Sequence, residues 1–233
     1  GAELRLVRLP LLTPFTIATG TMHEKLFPLL TLKSEGLEGI AEGVMDPLPD
    51  YLDETIPAAL AILRDLLLPA IVGKSFENPQ ALEKVLAPWR GHQMAKATVE
   101  MAFWDLWAKS LGLPMQTVLG GNGNAIDVGV SLGIGPIPDT IERVLLHVEQ
   151  GYKRIKLKIM PGWDAVPTRA VRERWPDTVR CIISGYSDSE DIVAGINEAG
   201  IYQYILKPWA PQHLLAVVAE AAQALQLRHG IAR

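Results

Sequence analysis

Hydrophobic and polar positions alternate along the opening of the chain and change period near residue 55. "AELRLVRLPL" (residues 2–11) alternates apolar with polar or charged side chains, the signature of a half-buried strand. "LFPLLTLKSEGLEGIAEGVM" (26–45) predicts two strands joined at Glu35-Gly36, a dipeptide suited to a tight antiparallel turn. Between them "TPFTIATGTMHEK" (13–25) is polar and bears threonines and a glycine, which predicts a long loop of the kind that often carries function.

From Thr55 the period is helical. "ETIPAALAILRDLLLPAIVG" (54–73) predicts a helix that begins after acidic residues and stops at Pro69. "NPQALEKVLAPW" (78–89) predicts another, with Asn78 as N-cap and Pro79 in the first turn. The strongest helical pattern is "QMAKATVEMAFWDLWAKSLGLP" (93–114), where Ala97, Met101, Trp104, Leu106 and Ala108 form an apolar stripe ended by Gly112 and Pro114. The Gly/Asn cluster "LGGNGN" (119–124) then marks a domain boundary, giving an α+β domain over 1–124 and a second domain over 125–233.

The second domain repeats one grammar four times: "IDVGVSLGI", "KRIKLKI", "TVRCIISGY" and "YQYILKP" read as strands, each followed by a helical stretch. Four βα units imply parallel strands with right-handed crossovers, as a partial barrel or an open sheet. The predicted fold class is therefore α/β with an N-terminal α+β cap. Chemistry in such folds gathers at the C-terminal strand ends, where Ser131, Lys158, Ser184 and Lys207 fall.

One strand raises a question of charge. In "RIKLKIMPGWD" (154–164), Lys156 and Lys158 share one face while Ile155, Leu157 and Ile159 share the other. If the lysines face water they are an ordinary solvated face. If they face the interior of a helix-covered parallel sheet, two like charges are held near each other away from bulk water, a costly arrangement that marks a site.

Composition narrows the classes. With 233 residues, a net charge of −4 and a pI near 5.8, the chain lacks the basic footprint of a nucleic-acid binder. "PAALAILRDLLLPAIVG" is interrupted by Arg64, Asp65 and prolines, so no membrane span is expected, and "GAELRLVRLP" lacks a secretory signal pattern. The single Cys181, in an apolar run, is expected as a buried structural thiol and fits a cytoplasmic setting. His23 and His92 lack partners at metal-ligand spacing, and His147, His213 and His229 lie on helical stretches. Exposed sheet edges would favour a homo-oligomer.

Residues 2–175 resemble the enolase superfamily, and within it the N-acylamino-acid racemases and o-succinylbenzoate synthases. The resemblance rests on "PLLTL" with "GIAEG", "YLDETI", "MAKATVEMAFWDLWAKSLGLP", "LGG", "VGVSLGI" and "EQGYKRIKLKIMPGWD". It implies a capping domain on a modified barrel and a small carboxylate as ligand. Lys158 would be the acid/base that moves an α-proton, and Lys156 the neighbour that lowers its pKa and stabilises negative charge. Ser131 would contact substrate, and Thr19, Gly20 and Thr21 would lie in the loop that closes over it. The family also carries acidic ligands for magnesium on the next three strands, but here the first of those positions falls at about Ser184. No metal or other cofactor is therefore expected in this chain.

Residues 174–226, from "RWPDTVRCIISGYSDSEDIVAGINEAG" onward, resemble instead the second half of a response-regulator receiver domain. That resemblance makes Ser184 the small hydroxyl residue after the fourth receiver strand, Tyr204 the aromatic switch residue, and Lys207, before Pro208, the lysine that ends the fifth. The phosphoacceptor aspartate belongs to the other half of such domains. The expectation is a hybrid with neither a complete metal site nor a complete phosphorylation site.

Overall fold

Residues 1–123, 125–160, 162–163, 165–185 and 200–228 are described in the computed structural model. The chain packs into two units, one of Gly1–Pro14 and Met22–Ile126, the other of Phe15–Thr21 and Asp127–Arg233.

In the first unit, β1 (Ala2–Ile17), β2 (Gly20–Ser34) and β3 (Leu37–Glu42) form a sheet in the order β1-β2-β3. Strands β2 and β3 pair antiparallel from Ser34↔Leu37 to Leu29↔Glu42. Glu35 (φ 50°) and Gly36 (φ 79°) both take the left-handed conformation, the turn whose twist matches that of its flanking strands. The expected long loop at 13–25 is instead strand up to a two-residue turn at Ala18 and Thr19. The alternation of Phe15 and Ile17 with threonine suits a pleated strand, so backbone pairing runs almost to the tip.

The helices follow the sheet. A helix α1 (Ile56–Ile62) passes through a π-helical turn (Leu63–Leu67) into α2 (Leu68–Ile71), so the helix does not stop at Pro69 as expected. A proline clashes with the carbonyl four residues back, and a π turn immediately ahead of it reroutes the backbone bonds. It also keeps Leu63 and Leu67 fully buried. In α3 (Pro79–Leu86) the Asn78 side chain accepts the Ala81 N–H at 2.9 Å, the cap that its sequence predicts.

The long helix α4 (Gln93–Ser110) is followed by the single turn α5 (Met115–Val118). Its buried stripe is Ala95, Thr98, Val99, Ala102 and Ala108, whereas Met101, placed in the stripe from the sequence, is 45% exposed. Small residues win the inner face because the helix lies hard against β3. A Cβ on Gly39 would overlap the Ala102 carbonyl oxygen. The Ile40 N–H donates to Asp105 at 2.8 Å, and Lys109 Nζ donates to the Glu38 carbonyl at 2.8 Å. The helix start is capped from a distance: Glu54 accepts the backbone N–H groups of Met94 and Ala95 at 2.9 and 3.2 Å. Leu30, Leu32, Met45, Leu63, Leu67, Leu82 and Val99 belong to one continuous core.

The second unit contains β4 (Gly129–Leu132), α6 (Ile137–Glu149), β5 (Arg154–Leu157), α7 (Ala165–Arg174), β6 (Cys181–Ser184), β7 (Gln203–Leu206) and α8 (Pro211–Arg228). Among the described residues the strands form two parallel pairs, β4-β5 and β6-β7, rather than one ladder of four. Residues 189–199 of the helical stretch expected after "TVRCIISGY" lie outside the described residues, as does His229. Cys181 is exposed, not buried: with Ile183 it takes the opposite face of β6 from the buried Ile182 and Ser184.

Candidate functional site

Parallel register decides which side chains of β4 and β5 share a face. Ser131 lies opposite Lys156, and Leu132 opposite Leu157. Ser131, Lys156 and, beyond the strand end, Lys158 therefore point to one side. The Lys158 N–H continues the pairing by donating to the Leu132 carbonyl at 2.9 Å. Leu132, on the other face, is 1% exposed, which anchors the lysine face by burying its back.

The three residues differ in setting. Lys156 is exposed, while Lys158 is half-buried. Burial lowers the Lys158 pKa from the ordinary lysine value, and the charges of Lys156 and Lys207 lower it further. Ser131 Oγ is shielded from solvent and has no hydrogen-bond partner among the described residues. A buried hydroxyl left that way costs about 1–3 kcal/mol, so it stands ready for an incoming polar atom.

The β1-β2 tip joins this face through residues that sequence reasoning passed over. The Ile134 N–H donates to the Thr16 carbonyl at 2.9 Å, and a Cβ on Gly133 would press on the Thr16 backbone. The Phe15 ring centroid lies 6.0 Å from Lys158 Nζ. Thr19, Gly20 and Thr21, the expected closing residues, are exposed at the turn, with Thr21 Oγ1 2.9 Å from Thr16 Oγ1. The signal for Phe15 was present as an aromatic in an alternating run, hidden by the loop expected there.

The second strand pair contributes from its own ends. Ser184 closes β6 and is buried; its carbonyl accepts the Lys207 N–H at 2.8 Å. Lys207 follows β7, is exposed, and places Nζ 6.0 Å from the centroid of the Trp209 ring. Tyr204 is half-buried against Ile182 and Ile201. Ile159, next to Lys158, packs on the same cluster, which brings the end of β5 beside β6 and β7. Lys207, assigned from the sequence to a separate remnant, therefore acts electrostatically on Lys158.

A hard dication such as magnesium takes oxygen ligands, carboxylates above all. No three His, Cys, Asp or Glu side chains converge among the described residues. Among the described residues, the groups around Lys158 are hydroxyl, ammonium and the Phe15 ring, and ammonium groups repel a cation. These residues do not fit magnesium.

The mandelate racemase / muconate lactonizing enzyme N-terminal domain matches residues 2–120. The chain belongs to that family. An N-succinylamino acid racemase of Thermus thermophilus is 51% identical over 178 residues, covering 76% of this chain and 48% of that protein. An o-succinylbenzoate synthase of Geobacillus kaustophilus is 41% identical, covering 75% of this chain and 47% of that one. The chain thus spans about half the length of these curated relatives. A solved enolase-superfamily member from Enterococcus faecalis V583 superposes with a TM-score of 0.73 at 34% identity, over 87% of this chain and 56% of its own.

This family member also resembles a protein of another kind. The hydrogenase transcriptional regulatory protein HoxA of Cupriavidus necator is 61% identical over 70 residues, 30% of this chain and 14% of that protein. No helix among the described residues is long and apolar enough to cross a membrane.

Proposed function

We propose that this family member joins the capping domain and first two barrel strands of a racemase- or synthase-like enzyme to the closing half of a receiver domain, and completes the active site of neither. The carrying observation is the set of side chains at the strand ends. Ser131, Lys156, Lys158, Ser184 and Lys207 supply hydroxyls and ammonium groups, with no converging acidic cluster among the described residues. The 70-residue similarity to a transcriptional regulatory protein supports a second parentage beside the racemase- or synthase-like part.

The chemistry explains why this is a deficit. Lys158 has the features of a proton shuttle: partial burial and two ammonium neighbours favour its neutral form. An α-proton next to a carboxylate is nevertheless very weakly acidic, and its removal places a second negative charge on the substrate. Electrostatic stabilisation of that charge is usually the largest contribution to such catalysis. In the parent enzymes a dication supplies it; here Lys156 and Lys207 alone would have to. On the receiver side, Ser184 and Lys207 would act on a phosphorylated aspartate whose half-domain the resemblance does not include.

The test is solvent deuterium exchange at the α-carbon of an N-succinylamino acid, with magnesium added. No exchange above the uncatalysed background is expected. Exchange that disappears in Lys158→Ala would overturn the reading and establish a working proton shuttle.

A further inference from the structure

We propose that the ion pair of Asp105 and Lys109 is an edge guard: it stands in for a further strand beside β3 and keeps a second copy of the chain from adding its own β3 there.

The outer strand of a sheet offers a row of unpaired backbone groups to any other strand, the ordinary route to edge-to-edge association. In the order β1-β2-β3, β3 is such a strand. Ser34 and Leu37 close a two-residue hairpin, and a closing pair of that kind exchanges its backbone bonds. Alternation from that pair turns the N–H and C=O groups of Gly39 and Ala41 toward β2, and those of Glu38, Ile40 and Glu42 outward. Gly43 keeps the same phase, its N–H donating to the Pro28 carbonyl at 2.7 Å.

Helix α4 meets two of the outward groups with side chains. Asp105 Oδ2 accepts the Ile40 N–H at 2.8 Å, and Lys109 Nζ donates to the Glu38 carbonyl at 2.8 Å. These are the acceptor and the donor that a neighbouring strand would present. One turn apart on the helix, the two side chains are also locked to each other, with Lys109 Nζ 2.8 Å from the same Asp105 oxygen. The missing Cβ of Gly39 lets the helix backbone come near enough for both to reach the edge. Burial raises the Asp105 pKa, but the hydrogen bonds from Lys109 and the Ile40 N–H outweigh it, so the carboxyl lies below its ordinary value and stays charged. An ion pair as open to solvent as this one contributes little to stability, which leaves specificity as its use.

The edge without its guard would be self-complementary. Placed antiparallel with Ile40 opposite Glu38 of the second copy, each β3 would satisfy the other's outward groups, and no glutamate would face another directly across. Such a contact is isologous and closes on a dimer.

The experiment is light scattering of the full chain across a concentration series. Asp105→Ala should associate with a dimer dissociation constant at least about tenfold below that of the unaltered chain, as unmasked backbone bonds imply. Asp105→Asn, which keeps an acceptor oxygen, should resemble the unaltered chain. Adding Ile40→Lys to Asp105→Ala should reverse the association by placing a charge on the edge. Leu82→Ala weakens the same unit away from this edge, so it controls for association through partial unfolding. Amide exchange should show the Ile40 N–H protected in the associated Asp105→Ala form. Should Asp105→Ala not fold, Lys109→Met exposes the Glu38 carbonyl and carries the same expectation. The proposal is overturned if the folded variant keeps the mass of the unaltered chain, associates no more than Leu82→Ala, ignores Ile40→Lys, or associates with the Ile40 amide unprotected.

Discussion

The two units bury their hydrophobic residues very differently. In the first, a single cluster runs from the sheet at Leu30 through Leu63 and Leu82 to Ala102 on α4. In the second, among the described residues, the comparable cluster pairs Ile182 with Ile201, supported by Ile159 and Tyr204, while α8 leaves Leu215 and Leu227 each 70% exposed. The charged groups are distributed the other way. The first unit uses charge to close backbone ends, as Glu54 does for α4, and the second gathers like charges at its strand ends. Apolar burial and unpaired charge therefore dominate different regions: each buried Leu contributes about 1.5–3 kcal/mol, whereas each unpaired charge costs folding energy.

The contrast can be broken most sharply at Gly39. Its missing Cβ is what lets β3 meet the Ala102 backbone, so Gly39→Val should destabilise the first unit by more than about 4 kcal/mol. Urea unfolding followed by near-UV circular dichroism checks this; a loss below about 1 kcal/mol would mean the helix and strand are not in hard contact.

Paired cavities sharpen it further. Leu82→Ala, at a fully buried position, should cost about 3–4 kcal/mol. Ile182→Ala should cost about 2 kcal/mol, because its smaller cluster can collapse into the space left. Amide hydrogen exchange resolves the two units separately, and equal costs would remove the distinction drawn between their cores.

The smallest effect is electrostatic. In the folded chain the Lys158 pKa lies below the unfolded value, so between the two the unfolded chain binds more protons and stability rises with pH. At pH values below both, the folded state bears the full penalty of the charged amine. Lys158→Met should therefore raise stability at neutral pH, by less than about 1 kcal/mol given the partial exposure, and flatten the rise toward alkaline pH. Thermal midpoints from pH 7 to 10.5 check the sign; a midpoint that falls in the variant contradicts it.

Much of this architecture was legible because its cause is local. Asn78 caps α3 by reaching the N–H three residues on, and Glu35-Gly36 turns because both residues can take positive φ. The errors share a cause too. The sequence pattern predicts a stop at Pro69 because a linear pattern does not reveal a π turn, and it predicts Met101 on the inner face because the narrow gap to Gly39 is set by another element. Phe15 was hidden within an expected loop that is in fact paired strand.

By itself the sequence determined the alternation that puts Ser131 with Gly129 and Lys156 with Lys158, since a strand's period needs no partner. Tertiary structure alone decided that Ser131 lies across from Lys156, that Phe15 flanks Lys158, and that Lys207 bears on the same amine. Those relations depend on which strand ends lie side by side, and residues far apart along a chain carry no local period that records their meeting.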